Sequence, residues 1–115
     1  MDLIANILTA IVALLHFGFL YLEMFLWDKP RGMKSFNLTA EFAKQSKTLA
    51  MNQGIYNGFL GAGLIWSFFA GEPVKIFFLS CVIIAGIFGA QTVSKRIFYI
   101  QALPAILALV VTLVF

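Results

Sequence analysis

Four long apolar stretches fill most of this 115-residue chain, at about residues 3–27, 49–70, 74–93 and 97–115. A helix needs about 20 consecutive apolar residues to cross a bilayer. With 62% hydrophobic and only 11% charged residues, the chain cannot hide its apolar surface from water in one small domain. We therefore expect a single transmembrane domain over residues 1–115, an all-α, integral membrane four-helix bundle.

The basic residues predict the orientation of these spans. One Lys lies beside the turn between the second and third spans, and the other seven Lys and Arg residues lie in two connections: Lys29, Arg31, Lys34, Lys44 and Lys47, then Lys95 and Arg96. Basic loops are retained in the cytoplasm. We expect both termini to be extracytoplasmic, in a multi-pass protein of the bacterial inner (cytoplasmic) membrane.

The basic cytoplasmic loop at 28–48 leaves two interpretations open. Leu38, Phe42 and Leu49 fall at helical spacing beside basic residues, which is typical of a short interfacial helix on an anionic leaflet. A solvated linker that runs into the second span fits the same residues.

Several classes of function lack the residues they need. A lone cysteine, Cys81, cannot form an intramolecular disulfide, and a single histidine cannot build a three-histidine zinc site. No Walker loop, Gly-x-Ser-x-Gly or dinucleotide fingerprint occurs. Because these residues and motifs are missing, we expect no metal and no cofactor. The basic residues set topology, so we also expect no nucleic acid partner.

Two ionisable residues lie within the first apolar stretch and share one helix face. Counted from Trp27, Glu23 lies about 6 Å and His16 about 17 Å into the span. An ionisable residue inside a span is a functional-site hypothesis by default. We propose His16 and Glu23 as a candidate acid/base or proton-binding pair, and we expect at least one to titrate near neutral pH. Alternatively, His16 simply donates to a backbone or amide partner.

Other polar and aromatic side chains lie at the cytoplasmic ends of the spans, which predicts a polar pocket in that half of the bundle. The outer half is apolar on this interpretation. Amides could equally hold the helices together by hydrogen bonds. The predicted ligand-binding residues are Trp27, Asn52, Gln53, Tyr56, Asn57, Gln91 and Gln101.

Glycines predict how the helices pack. Gly54, Gly58 and Gly61 form a stripe on the second span, and Gly86 with Gly89 forms another on the third. Small residues four apart let two helices approach closely. We assign these glycines to packing alone.

Three segments, "HFGFLYLEMFLW", "NQGIYNGFLGAG" and "FGAQTVSKRIFYIQALPAILAL", resemble the bacterial family catalogued as domain of unknown function 1304. The likeness covers nearly the whole chain and implies a small four-span inner-membrane protein. It brings no reaction with it. Its motif positions include His16, Glu23, Trp27, Asn52, Gln53, Tyr56, Asn57, Gln91 and Gln101.

Three functions remain open. The leading hypothesis is a protein that binds a small amphipathic or lipid-like molecule and could convert it by proton transfer at Glu23 and His16. The second is a proton-coupled exporter, because small multidrug transporters also have four spans and a glutamate in helix one. The charge bias weakens this option but leaves a parallel dimer open. The third is a structural or assembly protein without a ligand. Expected partners are membrane lipids and, in a homo-oligomer, further copies of the chain.

Overall fold

The protein is all helical, as expected. A computed structural model describes residues 2–115, and within that range it contains no strand. A short π-helical turn, Phe98–Ala102, leads into the last helix. The five α-helices are α1 (Leu3–Phe25), α2 (Pro30–Phe36), α3 (Ala40–Ala70), α4 (Glu72–Thr92) and α5 (Leu103–Val114).

The connection predicted at 28–48 is mostly helical. Pro30 begins α2, where its missing N–H costs nothing. The helix ends at Phe36, and the residue that follows, Asn37, caps it in the left-handed conformation with φ 55°. The Thr39 hydroxyl then accepts a hydrogen bond from the Phe42 N–H at 3.1 Å and caps α3. The structure therefore contains a short helix, α2, followed by an α3 that begins before the apolar stretch.

The remaining junctions also follow from local chemistry. Gly71, with φ 109°, forms the single-residue turn between α3 and α4, a conformation that favours glycine. The π-helical turn ends two residues before Pro104, whose nitrogen cannot donate a hydrogen bond. There the Leu103 N–H bonds to the Phe98 carbonyl, five residues back.

Two helices, α1 and α4, are long and apolar enough to cross a membrane. Only 28% of the most apolar part of α1 and 22% of that of α4 is buried. The core helix of a water-soluble protein would be mostly buried instead. Phe98–Val114 is a shorter apolar helical segment.

The chain divides into two compact units. One comprises residues 2–15 and 60–115 and holds a hydrophobic core. Small residues pack closely there: a Cβ added at Gly86 would lie 2.8 Å from the Ala102 Cβ. The core residues are Val12, Ala13, Leu64, Leu79, Val82, Ala105 and Ala108.

The second unit, His16–Phe59, packs α3 against the end of α1. A Cβ at Gly54 would lie 2.5 Å from the Met24 Cγ, and one at Gly58 would lie 2.6 Å from the Leu20 Cδ1. The helix contact predicted from Gly54 and Gly58 is therefore confirmed. This close approach positions the polar residues described next.

Candidate functional site

A buried carboxyl and a buried amide meet in the second unit. The Asn57 Nδ2 of α3 donates to the Glu23 Oε1 of α1 at 2.5 Å. Glu23 is 8% exposed and Asn57 is 6% exposed. The contact forms because Gly54 and Gly58, on neighbouring turns of α3, carry no side chain to hold the two helices apart.

The spacing of buried residues explains why Asn57 is the amide that faces inward. Ala43, Ala50, Asn57 and Leu64 are all buried and lie seven residues apart on α3. A seven-residue repeat keeps one face of a helix toward its neighbour. Asn57 occupies this face, whereas other α3 amides do not.

The chemistry available here is that of a single carboxyl group. An ionised Glu23 accepts hydrogen bonds only, whereas a protonated Glu23 also donates one. The Asn57 amide donates to Oε1, so protonation of the carboxyl is favoured at Oε2, which this hydrogen bond does not use. In residues 2–115, no group of three or more His, Cys, Asp or Glu could hold a metal ion.

His16 is fully buried in the same helix as Glu23. Its ring lies edge-on to the Phe19 ring, with centroids 5.4 Å apart. Residues seven apart stand about 10 Å from each other along a helix axis. His16 and Glu23 therefore lie on one face of α1 but about two turns apart. Their joint role stays a prediction.

Trp27 connects α1 to the helices that follow it. Its indole Nε1–H donates to the Ser46 Oγ at 3.0 Å. Its ring also packs on Phe36, with centroids 5.0 Å apart. These contacts give Trp27 a structural task beyond the ligand contact predicted for it.

The other predicted ligand-binding residues lie nearer the surface. Gln101 is half-buried within the π-helical turn and has a bonding partner. Tyr56 is 61% exposed and lies edge-on to the Phe59 ring. Their predicted ligand contacts stay predictions, as do those of three exposed amides: Asn52, Gln53 and Gln91.

Sequence reasoning missed a polar contact between the buried Lys75 and the half-buried Asn6, which lies in the first unit. The Lys75 Nζ donates to the Asn6 Oδ1 at 2.6 Å and lies 5.5 Å from the centre of the Phe68 ring. Lys75 is only 1% exposed. Asn6 lies three residues before the buried Thr9, and this helical spacing was the available signal.

Similarity to known proteins assigns the chain to a family. A family model described as "Protein of unknown function (DUF1304)" matches residues 10–113. The chain belongs to the DUF1304 family. The "Uncharacterized protein YpaA" of Lactococcus lactis subsp. lactis (strain IL1403) is 37% identical over 115 residues, covering 96% of this chain and 97% of that protein. No solved structure matches the chain with significance. The resemblance expected from the DUF1304 motifs is thus confirmed.

Proposed function

We propose that this DUF1304 protein is a multi-pass inner-membrane protein in which α1, the apolar part of α3, α4 and the helical segment Phe98–Val114 cross the bilayer. The side-chain distribution supports this proposal. Large apolar residues are exposed, such as Phe69 at 85% and Phe77 at 61%, whereas alanines fill many of the buried positions. Small residues at helix contacts and bulky residues facing outward are typical of helices in lipid. The basic connections support extracytoplasmic termini.

The function we propose is binding of a small amphipathic or lipid-like molecule through its polar head. The buried hydrogen bond between Glu23 and Asn57 carries this proposal. A carboxyl inside a span is expensive and is usually retained for function. Its second oxygen can accept a hydrogen bond from an amine or hydroxyl head group, while the exposed apolar side chains of α1 and α3 suit an alkyl tail.

Proton transfer on the bound molecule extends this proposal. Glu23 is the group that would take or give the proton, because it changes from acceptor to donor when protonated. The Asn57 amide holds Oε1 and so fixes the direction of Oε2. His16 is the candidate second group, acting on a part of the ligand about two helical turns away.

The test compares two isosteric substitutions in the same unit. Glu23→Gln removes the buried carboxyl but keeps an oxygen that can accept from Asn57. Glu41→Gln removes an exposed carboxyl on α3 and is the matched control. Native mass spectrometry in mild detergent should show a co-purified small molecule on the wild type and on Glu41→Gln, but not on Glu23→Gln. An adduct that survives in Glu23→Gln contradicts the proposal.

Synthetic probes then define the head group. Fluorescent alkyl probes that differ only in their head group should bind to the protein in the order amine, hydroxyl, carboxylate if Glu23 contacts the head group. Movement of the amine probe across liposomes driven by a pH gradient would support the exporter instead. Equal binding of all three probes, unchanged in Glu23→Gln, would favour a structural protein.

A further inference from the structure

The segment between α1 and the apolar part of α3 is fixed by several contacts. Trp27 packs on Phe36 of α2 and donates to Ser46 of α3. The Lys47 Nζ pairs with the Asp28 Oδ2 at 3.0 Å. Gly32 allows α2 to pack on the backbone of Leu26: an added Cβ would lie 1.9 Å from that carbonyl oxygen. These contacts fix the arrangement of the side chains on the surface of the segment.

The outward side of this segment is basic. Residues 28–48 contain five Lys or Arg and two Asp or Glu, and one of those acids, Asp28, is paired with Lys47. Arg31 and Lys34 lie three apart, so they share the exposed face of α2. We define the basic surface by its four exposed cations that lie outside this pair: Lys29, Arg31, Lys34 and Lys44.

Exposed apolar side chains lie on α3, in or next to the segment that carries these charges. Phe42 is 53% exposed and Leu49 is 72% exposed, seven residues apart on one face of α3. The segment also begins where α1, a helix apolar enough to cross a membrane, ends at Phe25. Cations and exposed apolar side chains near the end of a span are typical of residues that lie at the depth of the lipid head groups.

We propose that the basic surface binds the head groups of anionic phospholipids. The phosphate oxygens would pair with Arg31 and Lys34, and Phe42 would enter the acyl boundary. Charge complementarity supports this partner, because an anionic leaflet attracts basic segments beside a span. The proposal rests on the membrane placement proposed above for α1, but it concerns exposed cations rather than the buried carboxyl.

The experiment uses the full chain in nanodiscs of phosphatidylcholine that contain a graded fraction of phosphatidylglycerol. After the protein is released from the nanodiscs, native mass spectrometry counts how many molecules of each of the two lipids it retains. We expect the wild type to retain phosphatidylglycerol preferentially. Each cation removed from the basic surface should lower that preference about fivefold, so Arg31→Gln/Lys34→Gln should lose most of it. Both residues are exposed, and helical content by circular dichroism should be unchanged.

The matched control is Lys95→Gln/Arg96→Gln, which also removes one Lys and one Arg, both exposed, from the other basic connection. It should keep most of the preference. An equal loss in both double variants would overturn the proposal, because net charge alone would then explain the binding. A wild type without preference would overturn it too. So would displacement of the lipid by millimolar inorganic phosphate, since the site would then bind free phosphate.

Discussion

The partly buried contact between Lys75 and Asn6 gives the sharpest test of how the first unit is stabilised. Asn6→Leu keeps a side chain of similar size but removes the oxygen that accepts from the Lys75 Nζ at 2.6 Å. A hydrogen bond to a charged group contributes about 1.5–3 kcal/mol. Lys75 is 1% exposed, so its ammonium cannot easily recover this bond from water. We expect Asn6→Leu to lower the free energy of unfolding by about 1.5–3 kcal/mol.

A double-mutant cycle isolates this pair. Lys75→Met removes the charge and keeps an apolar stem near Phe68, the ring that lies 5.5 Å from the Nζ. Once the charge is gone, Asn6→Leu should cost little, so the coupling energy should be about 1.5 kcal/mol or more. Unfolding in mixed micelles with increasing denaturing detergent, followed by circular dichroism, measures all four proteins.

The control cycle pairs Asn6→Leu with Thr92→Val, an exposed residue at the far end of α4. Distant pairs are additive within about 0.5 kcal/mol. A coupling between Asn6 and Lys75 no larger than this would refute the reasoning. It would mean that the ammonium finds an equal partner when Asn6 is absent.

Two further predictions concern the segment that carries the basic surface. Gly32→Ala should lower stability by about 1–3 kcal/mol, because the new Cβ meets the Leu26 carbonyl oxygen and a rotamer change cannot relieve a backbone contact. Gly18→Ala, with nothing within 4 Å, should raise stability by up to about 1 kcal/mol, and the reverse order in thermal melts would contradict this. The hydrogen bond from Lys47 lowers the pKa of the Asp28 carboxyl. Its contribution is therefore present above the unfolded pKa and lost as pH falls through the folded one. Lys47→Gln should raise that pKa toward its ordinary value in an NMR titration, and an unchanged pKa would refute the pairing.

Apolar patterning predicted the helical class, but it indicates only the apolar part of α3 and not where the helix begins. Residues 40–48 contain Lys44, Lys47 and Glu41, so a search for apolar spans treats them as a connection. A helix can nevertheless continue beyond its apolar part, because backbone hydrogen bonding does not depend on hydropathy. The Thr39 cap was the local signal for the start of this helix.

The face of Glu23 was predictable, whereas its partner was not. Helical periodicity places several amides of α3 near the same depth, and a single helix does not say which one faces α1. The seven-residue repeat of Ala43, Ala50 and Leu64 points to Asn57, but only the packing against α1 gives that repeat its meaning. Lys75 was missed for a related reason: a basic residue beside a turn indicates topology, and burial depends on a distant helix.

Three buried polar residues of α1 follow one repeat through the apolar helix. Thr9, His16 and Glu23 lie seven residues apart and all are buried. Thr9 bonds within its own helix, to the Ala5 carbonyl at 2.7 Å, whereas Glu23 bonds to another helix. A hydroxyl that bonds within its own helix needs no partner on another, but a carboxyl does. For this reason we propose that the ligand's head group binds at Glu23 and not along all three residues of the repeat.

The two proposals for the second unit are physically independent, because one depends on a buried carboxyl and the other on exposed cations. Glu23→Gln should remove the co-purified small molecule and leave the preference for phosphatidylglycerol intact. Arg31→Gln/Lys34→Gln should do the opposite. If Glu23→Gln abolished both, the small molecule would itself be an anionic lipid bound near the carboxyl. That outcome would require a protonated Glu23 in the complex, because an ionised Glu23 repels phosphate.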